Sequence, residues 1–139
     1  MEKYLKLLGD HSLVLLTKDD EIIYTSDFKG VKPLLDFYHQ YGTSSTPLTV
    51  LDKVMGRGAI LLAKLVNVDK VFTPLISEDA LALAREYKMD VTYNTLVPYI
   101  INNTSTGRCP IESSVLGISD TEVGYQNIIK TLASLSKKE

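Results

Sequence analysis

LTVLDKVMGRGAILLAKLVN, residues 48–67, followed by VDKVFTPL, residues 68–75, is the stretch that decides the fold. Leu48-Thr-Val-Leu51 is a short apolar run of the length and composition of a buried strand. From Gly56 to Asn67 the chain reads as a helix with a nearly continuous apolar surface, made by Ile60, Leu61, Leu62, Leu65 and Val66. A helix apolar over so much of its circumference is enclosed rather than laid on a surface. Lys70 to Leu75 is the returning strand. Strand, helix and strand in this order form a parallel pair with a right-handed crossover.

The flanks extend the pattern both ways. Upstream, Tyr4, Leu5, Leu7 and Leu8 suggest a short leading helix that ends near Gly9. Ser12–Lys18 and Glu21–Thr25 are strands joined by a turn at Asp19-Asp20, a β-hairpin. Gly30 opens an amphipathic helix in which Val31, Leu34, Leu35 and Tyr38 share one face, and Gly42 stops it. Thr43 to Pro47 is a polar loop. Downstream, Ser77 is an N-cap ahead of Glu78 and Asp79, which suit the positive end of a helix running to about Lys88. Asp90–Tyr93 is a further strand. Asn94 to Arg108 starts apolar (Leu96, Val97, Tyr99, Ile100, Ile101) and turns polar, with no clear period. Pro110 begins a short helix that stops at Gly117. Ser119 and Glu122 form a capping box for the last helix, whose apolar stripe is Tyr125, Ile128, Ile129, Leu132 and Leu135. A hairpin leading into β-α-β-α-β predicts an α/β protein, a three-layer α-β-α domain over residues 1–139 with a mixed sheet, helices on both faces and extra C-terminal helices.

Composition narrows the function classes. The chain has 15 basic and 17 acidic residues and a net charge of −2, without the basic excess of a duplex-binding protein. No apolar run approaches the roughly 18 residues that span a membrane. The N-terminus lacks a secretory pattern. One cysteine, Cys109, rules out an internal disulfide. A cytoplasmic location is the expectation, and the N-x-[ST] triplets at Asn102 and Asn103 are then chance matches.

Several blocks carry a resemblance: Ser12-Leu-Val-Leu-Leu, Ile23-Tyr-Thr-Ser26, Gly30-Val-Lys-Pro-Leu-Leu35, Leu51-Asp-Lys-Val-Met-Gly56, Val97-Pro-Tyr-Ile-Ile-Asn102 and Thr106-Gly-Arg-Cys-Pro-Ile-Glu112. From about Leu5 to Gly117 the sequence resembles the uncharacterised prokaryotic family DUF1893, a domain of unknown function. The resemblance implies a cytidine-deaminase-like fold, with no assigned activity, and Lys as the common residue where Arg57 stands here. A zinc deaminase needs a His or Cys at one helix start, a Glu two residues on, and a Pro-Cys-x-x-Cys at the next. Here the two helix starts read Asp52-Lys-Val-Met-Gly56 and Pro74-Leu-Ile-Ser-Glu-Asp79. Neither carries a zinc ligand set. No cofactor or metal is expected, and His11 and His39 read as ordinary surface or boundary residues.

Two segments could carry chemistry. Asp52 and Lys53 follow a buried strand at the edge where α/β sheets bind ligands, with Gly56 and Arg57 at a helix start whose free N–H groups attract anions. The competing structural reading is that Asp52 caps that helix, Gly56 and Gly58 permit close packing, and Lys53 and Arg57 are solvated. In the second segment (Thr106, Gly107, Arg108, Cys109, Glu112), Cys109 stands at a helix N-cap beside Arg108, which favours thiolate. No general base is visible for it, and a buried inert thiol is the alternative. Glu112 could bond back to the cap. Tyr99 reads as core or as a stacking residue. The resulting expectation is a binder of a small anionic or nucleotide-like metabolite, regulatory or sensing. The alternatives are a metal-independent enzyme using Cys109 as nucleophile or Asp52 and Lys53 as acid and base, and an oligomeric interaction module.

Overall fold

The computed structural model describes residues 2–100 and 110–137. Along the chain lie α1 (Glu2–Leu8), β1 (Leu13–Thr17), β2 (Ile22–Ser26), α2 (Lys32–Tyr41), β3 (Leu48–Asp52) and β4 (Val54–Met55). There follow α3 (Arg57–Leu65), β5 (Val68–Ser77), α4 (Glu78–Glu86), β6 (Asp90–Val97), α5 (Pro110–Ser114) and α6 (Thr121–Lys137). β1 runs antiparallel to β2 and β3, while β3, β4 and β6 run parallel to β5. The sheet is mixed, as the hairpin followed by crossover units predicts, and the layers are α-β-α.

The sequence reading stops two strands too early and omits β4. β5 runs on to Ser77 and β6 to Val97. The ladder beside β4 is interrupted at Pro74. β3 pairs with β5 up to Leu51↔Phe72, and β4 resumes on the same line with the same offset at Val54↔Leu75. Pro74 has no N–H to give the ladder, and the break falls opposite Lys53. Both strands change face across it. Val50 and Val71 point into the main core before the break, and Met55 and Ile76 do so after it.

The layers are uneven. The crossovers β3-α3-β5 and β5-α4-β6 step the same way across the sheet, which puts both helices on one face. There α2, α3, α4, Ile111, Val115 and α6 share one core with Leu13, Leu15, Val50 and Val71. α3 lies at its centre, with Ile60, Leu61, Leu62 and Ala63 fully buried. α6 crosses α3 at Gly124, where a Cβ would overlap the side chain of Leu61. Among the described residues the opposite face is covered by α1 alone, through Tyr4, Leu7 and Leu8 on Val14, Leu16, Leu51 and Phe72. Lys70 Nζ donates to Tyr4 Oη at 2.8 Å and ties that short helix down.

Two local expectations change. Asp120, not Ser119, caps α6: its Oδ1 accepts from Val123 N at 3.0 Å. The Ser119 carbonyl meanwhile accepts from Tyr87 Oη at 2.6 Å. Tyr99 is not core, being 41% exposed. His39 and His11 make ordinary boundary contacts, to Tyr125 Oη and Asp27 Oδ1, both at 2.7 Å.

Candidate functional site

The N–H groups at the start of α3 are the expected receivers of an anion. They receive one, and the anion belongs to the chain. Glu112 Oε1 accepts from Arg57 N at 2.7 Å, and Oε2 accepts from Gly58 N at 2.9 Å. Ser77 Oγ reaches Oε1 at 3.5 Å while itself capping α4 by accepting from Ala80 N. One buried carboxylate thus joins the starts of two helices. It complements the positive end of α3 and satisfies donors that would otherwise be orphaned. Gly56 is glycine for the same reason: a Cβ there would overlap the Glu112 carboxyl group. Asp52 does not cap α3, whose N-cap is Gly56.

Arg57 is buried rather than solvated or turned to a ligand. Its Nε donates to the Val115 carbonyl at 2.8 Å and its Nη2 to that of Ile118 at 2.6 Å. Nη1 lies 3.5 Å from the Asp79 carbonyl. The guanidinium fork therefore ties α3 to the stretch between α5 and α6. Lys53 differs. Its side chain is exposed, directly before Val54.

Asp52 ends β3 with its side chain buried, only 6% exposed. Oδ1 accepts from Val54 N at 3.4 Å, and Oδ2 has no partner among the described residues. Burial pushes the carboxyl well above the usual carboxylate range, against smaller opposing effects of backbone N–H groups. Asp52 and Lys53 are adjacent in sequence, yet one is enclosed and the other faces solvent.

Thr106, Gly107, Arg108 and Cys109 lie outside the described residues, as do Asn102 and Asn103. Of the second segment only Glu112 is placed, and it meets the first segment at Arg57 and Gly58.

Sequence reasoning did not find the groove at the carboxyl ends of the parallel strands. Val54, Leu75, Val97, Pro98, Tyr99 and Ile100 line a hollow of about 520 Å³. Val54 and Leu75 directly precede Met55 and Ile76, so they point to the opposite face of the sheet. That is the face with the thin helical layer. The one available signal was the apolar run from Leu96 to Ile101, which had no helical period. A second hollow, between β2 and the end of α2, is lined by Ile23, Phe37, Tyr41, Thr43, Ser44 and Ser45 and has no charged lining. Among the described residues no three His, Cys, Asp or Glu side chains converge on a metal-sized site. No helix there is long and apolar enough to cross a membrane.

These features define an α/β protein whose helix-start anion site is filled by its own glutamate, beside an open apolar groove. The chain belongs to the DUF1893 family, a domain of unknown function, whose pattern matches residues 3–132. It is similar to the crystal structure at 2.70 Å of a DUF1893 family protein (TM1506) from Thermotoga maritima, with a TM-score of 0.79 and 25% identity. That match covers 96% of this chain and 88% of the other. No curated protein matches the chain significantly.

Proposed function

We propose that the chain binds a small anionic, nucleotide-like metabolite in the groove of Val54, Leu75, Val97, Pro98, Tyr99 and Ile100, as a sensor or regulator. The observation that carries this reading is the groove's position. It opens at the carboxyl ends of parallel strands, where α/β sheets take their ligands. Its volume of about 520 Å³ suits a small molecule. Its lining suits a flat apolar body, and the exposed Lys53 beside Val54 supplies a cation for a phosphate or carboxylate. The start of α3 is set aside as the anion grip, because Glu112 already holds it. Asp52 is set aside as half of an acid/base pair with Lys53, because it is enclosed while Lys53 is exposed.

A thermal-shift screen of nucleosides, nucleotides and other anionic metabolites, with and without zinc, tests the proposal. A ligand at 100 times its Kd adds about 2.7 kcal/mol of stability. Stabilisation without zinc is expected, weakened by Lys53→Ala, abolished by Val54→Asp and untouched by Cys109→Ser. Loss of binding in Cys109→Ser would move the function to that thiol. Stabilisation by zinc alone would overturn the reading.

A further inference from the structure

The two edges of the sheet are unlike. β2 has five residues, a register irregularity in its ladder with β1, and acidic flanks at Glu21 and Asp27. Short length, irregular pairing and charge are the devices that keep a strand edge from pairing with another chain. β6 has neither the short length nor the irregular pairing, and its one charge, Asp90, stands at its first residue. Its eight residues pair with β5 from Lys70↔Asp90 to Ser77↔Val97 with no register shift. No strand among the described residues lies on its outer side. After Asp90 the sequence has no charged side chain until Arg108, and Pro98 comes only after the strand has ended. Thr, Tyr and Val dominate it, all favourable in strands.

We propose that the outer edge of β6 is an interface between two copies of this chain, paired antiparallel about a two-fold axis near Tyr93 and Asn94. From Val91 to Val97 the edge is uncharged and meets its own copy without like-charge repulsion. Over that stretch it offers no cation or anion with which to select a foreign strand. A two-fold axis normal to the sheet joins the two sheets into one and keeps both helical layers on the same side. It also closes the assembly at two copies, because the edges left outermost are the short, irregular β2 strands. The exposed Leu96, at 42%, lies beside this edge and is covered in the pair.

Sedimentation equilibrium tests this directly. The wild-type chain is expected at twice its 15.4 kDa mass. Thr95 is exposed and lies within two residues of the axis, so Thr95→Lys sets two like charges against each other. Thr95→Lys and Thr95→Glu are each expected to be monomeric with unchanged far-UV circular dichroism, and an equimolar mixture of the two to regain the dimer. A monomeric wild type overturns the proposal, as does a dimer that survives Thr95→Lys. Should the Lys variant fail to fold, hydrogen exchange on the wild type decides: the outward amides of β6 are protected in the pair, and fast exchange there overturns it.

Discussion

Removing the Glu112 carboxylate leaves Arg57 N and Gly58 N as buried donors facing nothing. Glu112→Ala is expected to destabilise the fold by about 2–4 kcal/mol, as charge-assisted bonds are lost and donors stranded. Gly56→Ala should cost about 2 kcal/mol or more in the wild type by overpacking. In the Glu112→Ala background it should cost far less, since the atoms it meets are gone. Denaturant unfolding of the two singles and the double checks this coupling. Asp52 gives a pH prediction. Its folded pKa is raised, so the unfolded chain releases the proton near its ordinary value of 3.8 while the folded chain keeps it. The unfolded state then binds fewer protons, and stability falls as pH rises from that value towards the folded pKa. The contribution is fully present below 3.8. Asp52→Asn should remove that slope and gain on the wild type towards neutral pH; parallel stability profiles would contradict it. At this scale the sequence was only partly legible. Gly56, Arg57 and Glu112 were picked out as special, but as groups for a ligand. Glu112 lies 55 positions from Arg57, and no local pattern says that it lands on the start of α3.

Elements were more legible than their ends. The apolar run of residues 60–66 fixes α3 as an enclosed helix, and all of Ile60–Ala63 is buried. The Ser77 cap is where the sequence puts it. Boundaries failed where a long-range contact decides them. Ser119 fits a capping box, yet its carbonyl is taken by Tyr87 and the cap passes to Asp120. Asp120→Ala should therefore cost about 1 kcal/mol, and Ser119→Ala a few tenths at most, by thermal unfolding. β4 is hidden because it has only two residues and resumes a ladder interrupted opposite Pro74. Gly124 passed unnoticed as a glycine inside a helix, and only the approach of α6 to α3 explains it. Gly124→Leu should expel α6 from its seat on Leu61 and destabilise the protein by several times a typical surface change.

For the whole molecule, the mixed sheet and its three layers follow from the order of strands and helices. The thinness of one layer does not, since the lengths of the elements leave open which face each helix takes. Among the described residues that asymmetry leaves the groove open behind Val54 and Leu75, while the opposite face is closed by α5, Arg57 and Glu112. The proposed ligand enters the groove and not the helix start. Titrating a nucleotide into isotope-labelled protein and following its amide resonances tests this most directly. Shifts concentrated at Lys53, Val54, Leu75 and Val97 to Ile100, with Arg57 and Gly58 unmoved, are the predicted result. Shifts centred on Arg57, Gly58 and Ser77 would mean that the ligand displaces Glu112, and would contradict the account.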